Sequence, residues 1–171
     1  GPLIVNKSTG QLYKNSVSLN QRYAEVDFVI SSGSIVSVEV FKKNGLMIPE
    51  LFIDAVDIEW CLRTKQNGYS SFIDTHLRMF HKVGEADRHI LGFPVLLSKP
   101  FRYYYVYRNF FLLCRLSYIP FRWKVKGFIR RLFCLIYIPF ISGENSKEIL
   151  RFMLRGIKEG LKNMKLSCPQ L

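Results

Sequence analysis

The sequence predicts an α/β portion followed by a set of helices, and three observations lead to this prediction. The chain has 171 residues, 49% of them hydrophobic, which is enough for one domain with a buried core. Up to about residue 97, short apolar runs alternate with a helical pattern and turn-forming residues, as in α/β proteins. Beyond that point, three longer segments have helical spacing. We therefore predict an α/β portion, residues 1–97, and a helical portion, residues 98–171.

Strands are predicted where apolar runs are bounded by turn-forming residues. The first two runs form a predicted hairpin around Ser8-Thr9-Gly10. The third run ends at Ser31-Ser32-Gly33-Ser34, and the last two runs form a second predicted pair. In chain order the predicted strands are Leu3–Asn6, Leu12–Lys14, Val26–Ile30, Ser71–Ile73 and Leu77–Phe80.

Five helices are predicted from apolar spacing and from their end signals. Asn44-Gly45 ends the first, and Asn67-Gly68 ends the second. In the last helix Ser146 is the predicted cap, and Gly156 and Gly160 lie four residues apart on the apolar face, which permits a close helix contact. The predicted helices are Ile35–Lys43, Asp57–Gln66, Lys99–Leu116, Phe121–Tyr137 and Ser146–Lys165.

The start of the second helix carries three carboxylates within six positions, Asp54, Asp57 and Glu59. Asp54 and Asp57 face the free backbone N–H groups and the positive dipole end of the helix, which favours their ionised forms. Such a cluster is suited to supply a catalytic base. The alternative is structural, with Asp57 capping the helix and Glu59 pairing with Arg63 at i,i+4.

The positive charge of the chain is concentrated in one region. The net charge is +12, and from Arg88 to Gly143 there are ten Lys and Arg residues and no Asp or Glu. Aromatic residues are interleaved with these charges, which favours an anionic membrane surface or nucleic acid over the alternative of a solvated basic face. No nucleic-acid module is recognised, so no nucleic-acid partner is expected. The predicted contacts to lipid phosphates are Arg102, Arg108, Arg122, Lys124 and Arg130.

Two further patterns bear on location. The uncharged run from Leu132 to Gly143 is too short for a membrane crossing, which needs about 20 residues, so we expect the chain to lie on a membrane rather than through it. The four cysteines are far apart and form no Cys-x-x-Cys pair, and no secretory signal is recognised. Reduced thiols in the cytoplasm fit this pattern best.

Several segments together resemble the acceptor-side half of the family 2 glycosyltransferases, which have the GT-A fold. They are Val26–Ser34, Phe41–Met47, Glu50–Asp54 with the helix that runs to Gly68-Tyr69, Met79-Phe80-His81, and Arg102–Asn109. Within that family the chain is most similar to bacterial rhamnosyltransferases of surface-polysaccharide assembly. The resemblance covers nearly the whole chain and implies the C-terminal portion of a GT-A fold followed by amphipathic helices.

The resemblance implies that Asp57 is the general base of an inverting sugar transfer, which takes the proton of the acceptor hydroxyl. In the family the base is the Asp of a Glu-Asp pair. Here Val56 stands in the Glu position and Asp54 lies three residues before Asp57. Asp54 is therefore retained as the alternative base.

The resemblance also implies roles for other residues, each with an alternative. Ser32, Gly33 and Ser34 would line the sugar pocket, or form an ordinary turn. Trp60 would stack on a sugar ring, or lie in the core. His81 would be a metal ligand beside the donor diphosphate, or a histidine with a solvent or backbone partner. An independent zinc site of His81 with Asp74 and His76 is an alternative, although the spacing matches no standard motif.

The implied partners are a dTDP-rhamnose donor, a divalent metal (Mg²⁺ or Mn²⁺) in the complete enzyme, and a lipid-linked saccharide acceptor at the inner face of the cell membrane, as in O-antigen synthesis. The nucleotide pocket and the Asp-x-Asp metal motif of the family's N-terminal half are not found in this sequence. We therefore expect a fragment of a longer transferase that is inactive alone. The alternative is a non-enzymatic basic module that binds anionic membrane or nucleic acid.

Overall fold

The structure is a computed structural model that describes residues 22–77, 97–162 and 165–170, together with the strand residues 3–5, 12–14, 88–90 and 93–95. Helices predominate among these residues, and the described strands form three two-stranded antiparallel sheets. None of the helices in the described ranges is both long and apolar enough to cross a membrane.

The strands pair partly as predicted. The hairpin of β1 (Leu3–Val5) and β2 (Leu12–Lys14) is confirmed. The third strand was misplaced, because β3 spans Tyr23–Val26 and residues 28–30 are irregular. Its partner is β4 (Ser71–Asp74), in a register that sets Tyr23 opposite Asp74 and Val26 opposite Ser71. The last pair is β5 (Arg88–Ile90) with β6 (Phe93–Val95).

The predicted partner of Ser71–Ile73 was Leu77–Phe80, whereas the pairing that the structure shows for this segment is with β3. Leu77 has no regular structure, and residues 78–80 lie outside the described residues. The alternation of short strands with helices that suggested an α/β fold is present, but each described sheet is a small antiparallel pair.

All five predicted helices are present. Asn145 rather than Ser146 occupies the cap position of the last one, and the fourth continues through Pro139 instead of ending at Tyr137. The observed helices are α1 (Val38–Asn44), α2 (Val56–Gln66), α3 (Pro100–Cys114), α4 (Phe121–Ile141) and α5 (Ser146–Leu161).

The chain divides into two compact units whose boundaries interleave. The first comprises Gly1–Met79, Leu116–Arg122 and Lys165–Leu171, and the second comprises Phe80–Arg115 and Trp123–Met164. The predicted division at residue 97 did not anticipate that two later segments return to the first unit. The carboxylates of the candidate site belong to the first unit.

In the second unit, α3 and α5 pack at very close range. Tyr103 and Tyr107 of α3 form a buried cluster with Ile149 and Met153 of α5. Gly156 is so close to α3 that a Cβ built on it would overlap the Tyr104 carbonyl oxygen, and one built on Gly160 would lie 2.7 Å from the Arg108 carbonyl oxygen. The two glycines therefore permit the close helix contact that their spacing predicted.

Substituting Gly156 by Ala is expected to destabilise the protein, although Ala is the better helix former by about 1 kcal/mol. The added methyl group meets backbone that cannot rotate away, and overpacking of this kind costs about 1–3 kcal/mol. The measurement is the free energy of unfolding in urea. Arg151→Ala, at an exposed position of the same helix, is the control, and a stabilised Gly156→Ala variant would contradict the packing.

Candidate active site

The chain enters α2 through a strained backbone. Phe52 has φ 56° and ψ −65°, and the Ile53 N–H donates to the Leu51 carbonyl oxygen at 2.6 Å. These values define the rare form of γ-turn. Asp54 and Ala55 follow with φ of 73° and 61°, in the left-handed region that side chains other than those of Asn and Asp seldom adopt. Each such residue costs about 1–3 kcal/mol and is most often found at functional sites.

Asp57 lies in the first turn of α2, as predicted. Its Oδ2 accepts a hydrogen bond of 3.1 Å from the backbone N–H of Ser31. Ser31 begins the turn that contains Ser32, Gly33 and Ser34, so the structure brings the predicted base next to the predicted sugar-binding loop. The hydrogen bond joins positions 26 residues apart in the chain. It orients one carboxylate oxygen of Asp57 toward the loop.

The loop itself is exposed and has a defined shape. Ser31, Ser32, Gly33 and Ser34 are all exposed. The Ser34 N–H donates to the Ser31 carbonyl oxygen at 3.1 Å, and the Ser34 hydroxyl donates to the Ile30 carbonyl oxygen. Gly33 has φ 75°, which glycine adopts without strain. An ordered turn therefore presents small side chains to solvent beside Asp57.

Glu59 has a structural role. Its side chain is fully buried, and the Arg63 Nε donates to its Oε1 at 2.7 Å. The Tyr118 hydroxyl also donates to Oε1. Burial first, and then this hydrogen bond, raise the pKa of Tyr118, so the phenol stays protonated. The i,i+4 pair of the structural alternative thus exists. It uses Glu59 and leaves Asp57 half-buried and outside the pair.

Arg63 extends this network to the backbone. Its guanidinium donates to the Asn44 carbonyl oxygen, to the Leu46 carbonyl oxygen at 2.9 Å and to the Cys168 Sγ at 2.9 Å. These bonds hold the C-terminal end of α1 and the chain that follows it against α2. The hydrogen bonds of Arg63 therefore hold α2, the helix that carries Asp57, in position.

The ring of Trp60 is buried and is not presented to a sugar from solvent. Its side chain is only 6% exposed, its ring centroid lies 5.0 Å from that of Phe41, and its indole N–H donates to the Gly45 carbonyl oxygen at 3.1 Å. The predicted stacking role is corrected to the core role that was the alternative. The reason is the helical phase of α2, since Trp60 lies one turn from buried Arg63 and Thr64.

The metal prediction cannot be placed on the described residues. His81 lies outside them, as does the whole Met79-Phe80-His81 motif. Asp74, considered for an alternative zinc site, accepts hydrogen bonds from the Arg22 Nε at 3.1 Å and the His76 backbone N–H at 2.9 Å. Within the described ranges, no group of three His, Cys, Asp or Glu side chains is placed to hold a metal ion. The divalent metal, Mg²⁺ or Mn²⁺, and the role of His81 as its ligand therefore stay predictions.

The predicted lipid-contacting residues lie on α3 and α4. Arg102, Arg122 and Arg130 are exposed, and Lys124 is half-buried. Arg108 is partly buried, with its guanidinium over the rings of Tyr104 and Tyr105 and hydrogen-bonded to the Asn109 side chain.

Sequence reasoning missed the segment 165–170, which contacts Arg63 of α2 and the chain between α1 and α2. The Leu46 N–H donates to the Pro169 carbonyl oxygen at 2.8 Å, and Ser167 donates two hydrogen bonds to Glu50 Oε1. The Ser167 side chain lowers the pKa of Glu50 through this contact. No pattern within residues 165–170 signals these contacts, because their partners lie more than a hundred residues earlier.

A half-buried carboxylate held by a loop N–H, beside an exposed turn, is an arrangement suited to an enzyme that transfers a group to a hydroxyl. The class predicted from the sequence, a glycosyltransferase, is supported by comparison with known proteins. The chain is 35% identical over 148 residues, 86% of its length, to "dTDP-rhamnosyl transferase RfbF" of Shigella flexneri. The predicted resemblance to rhamnosyltransferases is thereby confirmed.

The matched region has a limited extent in the relative. The chain spans 49% of the length of that protein. No protein-family model matches the chain, and no solved structure matches it.

Proposed function

We propose that this chain is the acceptor-side, C-terminal part of an inverting glycosyltransferase of the GT-A type. The observation that carries the proposal is the hydrogen bond from the Ser31 N–H to Asp57 Oδ2, because it joins an exposed small-residue loop to a half-buried carboxylate at a strained helix entrance. The similarity to a dTDP-rhamnosyl transferase of Shigella flexneri supports rhamnose as the transferred sugar and its thymidine-diphosphate ester as the donor.

In the proposed reaction Asp57 is the general base. The Ser31 N–H holds Oδ2, and we assign Oδ1 to the acceptor hydroxyl. As the hydroxyl oxygen forms a bond to the anomeric carbon, its proton passes to Asp57 and the bond from that carbon to the diphosphate breaks. Asp54 remains the alternative base. Its left-handed backbone directly before α2 places it in the same strained entrance.

The donor diphosphate and its divalent metal are assigned mainly to the rest of a longer polypeptide, because the chain spans 49% of the length of its relative and its sequence contains no recognised nucleotide pocket or Asp-x-Asp motif. His81 is retained as a proposed further ligand of that metal. A lipid-linked saccharide is the proposed acceptor, in the synthesis of a surface polysaccharide such as O-antigen. The protein would act at the cytoplasmic face of the cell membrane, with Arg102, Arg108, Arg122, Lys124 and Arg130 facing lipid phosphates. The high density of positive charge between Arg88 and Gly143 supports this location.

The proposal is tested by joining the chain to the donor-binding part of its Shigella relative and assaying transfer of labelled rhamnose from dTDP-rhamnose to a lipid extract. We expect label in a lipid-linked product with the joined protein and none with the 171-residue chain alone, since the chain lacks a recognised nucleotide pocket. The intact relative is the positive control. A joined protein that folds and binds dTDP-rhamnose but labels no lipid would contradict the acceptor role.

A further inference from the structure

The fourth helix carries a row of exposed apolar side chains along one side. Their spacing of three and four residues places them on a single face, and the exposed fractions include 74% for Ile136 and 87% for Phe140. Helices of soluble proteins normally turn such a face inward. The six members nearest the C-terminal end are Phe128, Ile129, Leu132, Phe133, Ile136 and Phe140.

The opposite face of α4 is the one that packs within the second unit. Trp123 lies 5.6 Å from Phe110 between ring centroids, and the Arg131 Nε donates to the Val106 carbonyl oxygen at 3.1 Å. The Tyr107 hydroxyl donates to the Arg131 carbonyl oxygen at 2.7 Å. Because these contacts with α3 fix the rotation of α4, they direct its apolar row away from α3.

Basic residues border the apolar row. Arg122, Lys126 and Arg130 recur every four residues and are exposed, so they form a second row on the same helix. With no Asp or Glu between Arg88 and Gly143, this face has only positive charge. A second copy of α4 would bring like charges together, whereas an anionic surface complements them.

We propose, resting on the membrane part of the proposed function, that α4 lies in the plane of an anionic lipid bilayer. Its apolar row enters the acyl region while Arg122, Lys126 and Arg130 contact lipid phosphates. The proposal thus assigns insertion into the bilayer to α4, and it adds Lys126 to Arg122 and Arg130, which the sequence already suggested as lipid contacts. It does not depend on the assignment of Asp57.

The test is co-sedimentation of the 171-residue chain with phosphatidylcholine vesicles that contain or lack phosphatidylglycerol. We expect binding that requires the anionic lipid and weakens with salt. The double variant Ile136→Ser/Phe140→Ser should bind at least about ten-fold more weakly, because each buried apolar side chain contributes that much or more. Arg122→Gln/Arg130→Gln should also weaken binding to the anionic vesicles, because it removes two of the positive charges that contact lipid phosphates.

The matched control is Leu150→Ser/Leu154→Ser, which removes two exposed apolar side chains from α5 and should leave binding unchanged. Urea unfolding of each variant shows that the fold is kept. The proposal is overturned if the wild-type chain does not bind anionic vesicles, if Ile136→Ser/Phe140→Ser binds as well as wild type, or if that variant only dissociates a dimer of the chain.

Vesicle binding and sugar transfer can fail separately. A variant that no longer binds vesicles but still transfers rhamnose to a detergent-dispersed acceptor supports both proposals. If the joined protein binds vesicles but does not transfer rhamnose, the result supports α4 as the membrane-binding helix and counts only against the catalytic assignment. Binding to an oligonucleotide that is as tight as binding to vesicles, and that survives Ile136→Ser/Phe140→Ser, would count against the lipid as occupant.

Discussion

Asp57→Asn in the joined transferase is expected to lower the rate of rhamnose transfer about 10²- to 10⁴-fold, the usual contribution of a general base. Asparagine keeps the shape of the side chain and an oxygen that can accept the hydrogen bond from the Ser31 N–H. It cannot take a proton from the acceptor hydroxyl. Binding of the donor and the free energy of unfolding should therefore change little while the rate falls.

Asp27→Asn is the matched control for this substitution. Asp27 lies in the same unit and its carboxylate pairs with Lys65, so the variant loses one carboxylate without touching the proposed base. A near-normal rate of rhamnose transfer by Asp57→Asn would contradict the assignment of Asp57 as the general base. If Asp54→Asn abolished transfer instead, the base would be Asp54.

Arg63→Ala is expected to destabilise the protein by about 3–5 kcal/mol, because it leaves the carboxylate of Glu59 buried without its cation. The Glu59 side chain is 0% exposed and that of Arg63 is 11% exposed. The variant also removes the donors to the carbonyl oxygens of Asn44 and Leu46. Urea-induced unfolding followed by circular dichroism measures the effect.

Lys65→Ala provides the comparison, since it breaks an ion pair on the same helix whose side chains are 39% and 20% exposed. Solvent screens such pairs, so the loss should be about 1 kcal/mol or less. If the two variants lost equal free energy of unfolding, the buried Glu59–Arg63 pair would contribute no more to stability than the more exposed pair does.

The helices could be predicted from the sequence because their signals are local. The observed α2 begins one residue before the predicted start at Asp57 and ends at the predicted Gln66, since apolar spacing and the Asn67-Gly68 stop are both short-range. The predicted position of β3 was wrong because this strand is defined by its pairing with β4, about fifty residues later in the chain. Propensity within residues 26–30 has no information about that partner.

The candidate site was predicted residue by residue but not as an arrangement. The roles of Asp57 and of the loop from Ser32 to Ser34 were predicted independently of each other. Only the structure shows that a hydrogen bond from the Ser31 N–H connects this loop to Asp57. The strained entrance was also unpredictable, because Phe52 and Ala55 are residue types that disfavour positive φ. Tyr118 reaches Glu59 across 59 positions, a separation for which this sequence gave no signal.

The interleaving of the two units has a consequence for the order in which the protein can fold. Residues 165–170 supply the Pro169 carbonyl oxygen to the Leu46 N–H and the Cys168 Sγ to Arg63, yet they follow the whole second unit in the chain. During translation, the helix that carries Asp57 is therefore synthesised well before residues 165–170, which contact it. The packing of the first unit cannot be completed until the second unit has been translated.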